Sequence, residues 1–164
     1  SFADLSAVDT DNANVLGHDV QGTENFTTLG VGSSDIRAQN GVASWNTVSD
    51  ERYKKDIVDS TLGLSFINAL KPRTFKYKNK GELPSTFRAY EEGSSEVYKF
   101  SETQHGFIAQ EVKAAIDADS GVADGFKMWA ERPDGSQEVG EAALIPVLVK
   151  AIQELTARVA ALES

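Results

Sequence analysis

The chain has 164 residues and a mass of 17.7 kDa, with 40% hydrophobic and 25% charged residues and no cysteine. This composition excludes full-length disorder, collagen-like repetition, disulfide cross-links, thiol catalysis and cysteine-based zinc sites. A net charge of −9 and the lack of a long apolar run argue against nucleic-acid and membrane partners. Because the chain begins with Ser1 rather than methionine, we expect it to be part of a longer polypeptide.

The first 48 residues differ from the rest in composition. They hold six acidic residues and a single basic one, Arg37, and are rich in Asn, Gly, Ser and Thr. Short apolar fragments at 14–16, 26–29 and 42–45 are separated by glycines, which predicts short strands joined by turns. With so few large apolar residues, this segment is expected to pair with other copies or with upstream repeats; a disordered leader is the alternative.

After the composition break near residue 49, the pattern becomes mixed. Leu62, Phe66 and Leu70 recur at i, i+4 and i+8, which predicts a short helix ended by Pro72. The alternation of aromatic and basic residues over 73–78 then predicts a half-buried edge strand. Basic residues with interleaved aromatics are also found where single-stranded nucleic acid binds, and this is the less favoured interpretation.

The following region predicts a surface excursion, a helix and a hairpin. Residues 79–104 are polar, with one strand expected at 96–100, and 107–118 have a helical apolar face. Residues 117–121 superficially resemble a calcium loop but lack the required acidic ligands, so we interpret them as an acidic helix end and expect no metal. Two short strands flanking an Arg-Pro-Asp-Gly turn predict a hairpin within 126–139.

The C-terminal segment has a regular heptad pattern. Its apolar residues are spaced alternately three and four apart, at positions a and d: Ile145, Leu148, Ile152, Leu155, Val159 and Leu162. This seam predicts a coiled-coil helix over 144–163. The alternative is a single helix docked on its own domain, because the repeat is short for an autonomous coiled coil. Branched residues at a with leucine at d weakly favour two strands.

Four motifs occur in order after the composition break. The first is Ser49-Asp50-Glu51-Arg52-Tyr53-Lys54-Lys55-Asp56-Ile57. The others are Leu70-Lys71-Pro72-Arg73-Thr74-Phe75-Lys76-Tyr77-Lys78, His105-Gly106-Phe107-Ile108-Ala109-Gln110-Glu111-Val112, and the closing helix from Leu144 to Leu155. Together they resemble the self-cleaving intramolecular chaperone domain, peptidase family S74, of bacteriophage tail fibres, endosialidase tailspikes and neck appendages. The first motif is similar to this family's Ser-Asp-x-Arg-x-Lys signature.

The resemblance implies an α+β fold in an intertwined homotrimer, which would override the two-strand preference of the heptad. Residues 1–48 would be the β-rich distal end of a fibre, and 49–164 the chaperone domain that registers three chains and then cuts itself off. It implies location in the virion tail fibre, assembly in the bacterial host cytoplasm, and release of the chaperone domain. Its partners would be its own copies and the upstream fibre.

The residues themselves favour serine–lysine chemistry. A serine hydroxyl attacks an amide only when a base takes its proton, and with only His18 and His105 available, nearby lysines are candidates. The family motif implies Ser49 as nucleophile, Lys54 as base and His105 as an orienting group, with no cofactor. Five residues apart, Ser49 and Lys54 cannot meet on one regular element. Either a turn joins them or Lys54 comes from a neighbouring chain.

The sequence leaves open the bond that is cut, the role of the motif and the function of the chain. The resemblance places the cut at Ser49–Asp50, whereas intrachain attack on the Val48 carbonyl would close an easier five-membered ring. The motif alone also fits a simple helix cap at Ser49, with Asp50 and Glu51 in the first helical turn. As a function, a single-turnover autoproteolytic chaperone is favoured; the alternative is a non-cleaving structural or receptor-binding fibre tip with the same fold.

Overall fold

The computed structural model describes residues 11–163, which form two compact units. The first unit ends at Val58 and the second begins at Asp59. The mixed α and β content and the C-terminal helix predicted from the sequence are both present. The residues that follow the composition break, 49–58, fold with the first unit.

A four-stranded sheet makes up the first unit, in the order β1-β2-β3-β4. Its strands are Asn14–His18, Phe26–Val31, Ser34–Gln39 and Asn46–Thr47. Strand β1 pairs in parallel with β2, and the other pairs are antiparallel. The strands predicted at 14–16 and 26–29 are confirmed, whereas 42–45 is not a strand and β3 escaped prediction. Strand β3 was not predicted because its side chains are mostly polar. It follows a tight turn at Gly32, whose φ of +56° suits glycine.

This sheet buries almost none of its side chains. Among the described residues of the first unit, only Val20 and Thr28 are buried. On one face, Leu16 lies opposite Leu29 and Leu29 opposite Ile36, yet Leu16 and Ile36 remain exposed. The structure therefore agrees with the expectation that this segment does not close a core of its own.

The second unit is built on three helices: α1 Leu64–Ala69, α2 Ala109–Ala118 and α3 Leu144–Glu163. Their apolar faces meet in one core, whose buried members are Leu62, Phe66, Val112, Ala115, Met128, Leu144 and Val147. The helices predicted from residues 62–70, 107–118 and 144–163 are thus confirmed, with the first two starting slightly later. At α1, the backbone N–H of Leu64 donates to the Glu154 carboxylate at 2.9 Å, which ties the start of α1 to α3.

Two small antiparallel sheets complete this unit. Strands β5 Arg73–Phe75 and β6 Gln104–Gly106 form one, and β7 Trp129–Glu131 and β8 Gln137–Val139 form the predicted hairpin. The strand predicted over 73–78 is shorter than expected because pairing with β6 ends at Phe75. The strand predicted at 96–100 is wrong; an isolated bridge joins Asn79 to Val97 instead.

Candidate active site

Ser49 immediately precedes a tight turn that ends at Lys54. After β4, Asp50 adopts an extended conformation and begins a 3₁₀ turn, Glu51–Tyr53, and Lys54 returns to an extended conformation. The turn is closed by hydrogen bonds from the backbone N–H of Tyr53 to the Asp50 carbonyl at 3.1 Å and from that of Lys54 to the Glu51 carbonyl at 2.9 Å. Because a 3₁₀ turn has three residues per turn, the chain reverses within this short span.

The reversal brings the two predicted catalytic side chains together. The Lys54 Nζ donates a hydrogen bond to the Ser49 Oγ at 2.6 Å. Of the two arrangements that the sequence left open, a connecting turn or a neighbouring chain's lysine, the structure contains the first. The irregular geometry explains how residues five positions apart meet although neither a helix nor a strand would allow it.

Arg52 has a partner that the sequence did not identify. The Asp50 carboxylate accepts from the Arg52 backbone N–H, from Nε at 2.9 Å and from Nη2 at 2.7 Å. This pairing, first through the side-chain bonds and then through the backbone bond, holds the pKa of the Asp50 carboxyl below its ordinary value. The positive charge of Arg52 beside Lys54 is compensated by the Asp50 carboxylate. In the sequence, this pair is visible only as an aspartate followed two residues later by an arginine.

Asp50 also settles the capping alternative. Its side chain accepts from the Arg52 backbone N–H at the start of the turn, so Asp50, and not Ser49, is the capping residue. Ser49 lies outside the turn, and its hydroxyl faces Lys54 instead. Capping and the contact between serine and lysine therefore coexist in one segment.

The site is open to solvent in the single chain. Ser49 and Lys54 are exposed, and so are the residues from 51 to 60. A neutral lysine is favoured by removal of water or by nearby positive charge. The described residues of the first unit supply no such burial around Lys54.

His105 belongs to the second unit. It lies on β6 opposite Thr74, with an exposed side chain. It also lines an open groove of about 830 Å³ whose walls include Tyr77, Tyr98 and Arg132. The catalytic role expected for His105 remains a prediction.

The predicted coiled-coil seam lies on the free face of α3. The opposite face packs on the core through Leu144, Val147 and Ala151. The six seam residues are all exposed, from 43% to 87%: Ile145, Leu148, Ile152, Leu155, Val159 and Leu162. Helix α3 therefore docks on its own domain and still presents a continuous apolar stripe, so the two alternatives drawn from the sequence are compatible.

Residues 11–163 show no sign of a metal site or a membrane span. No group of three or more histidine, aspartate or glutamate side chains there could hold a metal ion, and no helix is long and apolar enough to cross a membrane. At the loop that resembles a calcium site, Asp117 pairs with Lys113 of the same helix. The interpretation of this loop as an acidic helix end agrees with that pairing.

Comparison with known families agrees with the motifs. Residues 49–120 match the Peptidase_S74 family, described as chaperone of endosialidase. Three of the four motifs lie within the match, and the closing helix lies beyond it. No curated protein and no solved structure matches the chain. The resemblance inferred from the sequence is thus confirmed over residues 49–120.

Proposed function

We propose that this chain, whose residues 49–120 belong to the chaperone-of-endosialidase family of S74 peptidases, is a trimerising folding chaperone that cuts itself once beside Ser49. The observation that carries the proposal is the 2.6 Å hydrogen bond between the Lys54 Nζ and the Ser49 Oγ. A serine hydroxyl in direct contact with a lysine amine is the arrangement that nucleophilic attack on an amide requires.

In the proposed reaction, Lys54 first loses its proton and then accepts the proton of the Ser49 hydroxyl. The serine oxygen attacks a peptide carbonyl, an ester forms as the C–N bond breaks, and Lys54 returns the proton to the leaving amine. Water then hydrolyses the ester. Each chain cuts one bond once, so no turnover on other substrates is expected.

Two bonds remain candidates for this attack. Within one chain, Ser49 reaches the Val48 carbonyl through a five-membered ring, whereas its own carbonyl would need a four-membered ring. Cleavage of the Ser49–Asp50 bond, which the family resemblance favours, therefore requires the hydroxyl of a neighbouring copy. Mass spectrometry separates the two, because the N-terminal fragment ends at Val48 or at Ser49.

In this proposal, assembly removes water from Lys54, which the single chain leaves exposed. Lys54 is exposed, and a neutral amine at this position needs removal of water. Packing of other copies over the turn would provide it and would couple cleavage to completed assembly. The exposed seam of α3 supports such an assembly, because an apolar helix stripe gains free energy when other helices cover it.

In this proposal, residues 1–48 end a bacteriophage tail fibre or tailspike, and the chaperone domain aligns three chains before it leaves. Assembly takes place in the bacterial host cytoplasm, and the mature fibre is part of the virion and serves host attachment. The poor interior of the sheet supports this view, since such a segment gains stability from other copies.

Denaturing electrophoresis of freshly expressed protein tests the proposal. Wild-type chains should yield fragments of roughly 5 and roughly 12 kDa. Ser49→Ala removes the nucleophile, and Lys54→Arg keeps the charge but cannot act as base, so both chains should stay whole. Lys55→Arg is the matched control and should still cut. Wild-type chains that stay whole, or Lys54→Arg chains that cut normally, would contradict the serine–lysine mechanism.

A second candidate function is a fibre tip that keeps the fold but does not cut. The exposure of Ser49 and Lys54 is the observation that favours it, because the described residues of the first unit do not shield the pair from water. In that case wild-type chains form stable assemblies and remain a single band indefinitely.

A further inference from the structure

We propose that the ion pair between Asp50 and Arg52, here called the Asp50–Arg52 clamp, is a positioning device that shapes the turn so that Lys54 reaches Ser49. This inference rests on the proposed self-cleavage, because it assigns a role within that reaction. Neither residue is given proton transfer: the clamp acts through the placement of Lys54.

The clamp is specific in geometry. The Arg52 Nε donates to one oxygen of the Asp50 carboxylate at 2.9 Å and Nη2 donates to the other at 2.7 Å. Such a side-on fork requires a planar guanidinium; a lysine ammonium is a single point of charge and cannot reproduce it. The Arg52 backbone N–H also donates to this carboxylate, so the main chain and the side chain of Arg52 are held by one group.

The position of the clamp explains its effect on Lys54. Asp50 is the first residue of the turn and Lys54 the last, and Arg52 is the middle of the turn between them. Fixing Arg52 onto Asp50 restricts the backbone that separates Ser49 from Lys54. In an exposed segment that gains no order from burial, this restriction maintains the 2.6 Å contact of the two reactive side chains.

A competing role for Arg52 is to supply charge that favours a neutral Lys54. The pairing argues against it, because the carboxylate of Asp50 offsets the guanidinium at close range. The two roles differ in what they require. Positioning requires the fork, which only arginine provides, whereas charge supply would be satisfied by any cation.

The test exchanges arginine and lysine at two nearby positions, 52 and 55, and measures the rate of cleavage. Arg52→Lys keeps the charge and loses the fork, Arg52→Gln loses both, and Lys55→Arg is the control, expected to cut like wild type. Cleavage is followed against pH in the full chain. Both Arg52 variants should cut more slowly by about ten- to a hundredfold at every pH, as expected when a reactive group is misplaced. The pH of the half-maximal rate should not move.

Other outcomes overturn the inference. If Arg52→Lys cuts at the wild-type rate, the fork is unnecessary. If Arg52→Gln moves the half-maximal rate to higher pH while Arg52→Lys does not, Arg52 supplies charge. Retained circular dichroism in both variants would exclude unfolding as the cause of slower cutting.

The clamp can also be measured without cleavage. In the Ser49→Ala chain, the Nε–H of Arg52 should exchange with water about two- to fivefold more slowly than in the same chain carrying Asp50→Asn, a small protection because the guanidinium is exposed. Absence of protection would refute the clamp itself. If the Nε–H is protected but wild-type chains never cut, the clamp exists but the proposed self-cleavage is wrong. The role of the clamp in that reaction is then wrong as well.

Discussion

At the scale of single residues, the Asp134 carboxylate is held by several donors at once. It accepts from the backbone N–H of Arg88 at 3.0 Å and from both the backbone N–H and the hydroxyl of Ser136. These bonds, that from Arg88 first, lower the pKa of Asp134 to about 2. The carboxylate thereby joins the β7–β8 turn to the surface excursion around Arg88.

This predicts a pH dependence of stability. Between the ordinary value of 3.8 and about 2, the unfolded chain binds a proton at Asp134 and the folded chain does not, so the free energy of unfolding falls as the pH falls through this window. Asp134→Asn should show a smaller loss between about pH 5 and about pH 3 than wild type. Urea unfolding at both values measures it, with Asp124→Asn as the control for lost charge. An equal loss in Asp134→Asn and wild type would contradict the assignment.

At the candidate site, the sequence predicted which side chains pair but not the turn that brings them together. The pairing of a serine with a lysine followed from the motif, and the spacing alone excluded a regular helix or strand. The turn itself could not be predicted, because it depends on an Asp50 carboxylate that accepts from both the backbone and the side chain of Arg52. A local hydrogen-bond pattern of this kind leaves no periodic signal in the sequence.

At the scale of elements, periodicity predicted helices better than strands. Helix α2 and helix α3 were visible because each has a sustained apolar face that meets the core. Strand β3 has no such pattern, since it lies in a sheet with little interior to select apolar residues. The tract at 96–100 alternates like a strand, but only one bridge, at Val97, pairs it.

Helix α3 carries a prediction of its own. In Leu155→Asp, each helix of the assembly would bury an unpaired charge in the seam, at a cost of roughly several kcal/mol. The trimer should be lost. Ala157→Asp is the matched control, because it places the same charge on the same helix outside the seam. Light scattering at micromolar concentration measures both variants; a trimer of Leu155→Asp, or a monomer of wild type, would contradict the role of the seam.

At the scale of the whole molecule, the sequence distinguished a β-rich segment from a mixed domain by composition. The family match begins at the same place, Ser49, whereas the boundary between the compact units follows Val58. The difference has a physical origin. Residues 49–58 carry the family signature but fold with the first unit and, apart from the half-buried Asp50, are exposed, so sequence relationship and packing divide the chain at different points.

In the proposed trimer, each chain is expected to supply its own base. The contact between Lys54 and Ser49 lies within one chain, which predicts that a chain uses its own lysine. Ser49→Ala chains lack the nucleophile and Lys54→Arg chains lack the base, so trimers folded from a mixture of the two should not cut.

Differently tagged chains, purified through both tags in succession, establish that the trimers are mixed. Wild-type chains co-folded with a Ser49→Ala, Lys54→Arg double variant are the positive control, because in such trimers the wild-type chains keep a complete pair and should still cut. Cutting of either kind of chain in the test mixture would mean that the lysine of a Ser49→Ala chain serves the Ser49 of a neighbouring Lys54→Arg chain. The intrachain contact would then not be the reactive one, and cleavage would depend on a base donated across the trimer interface.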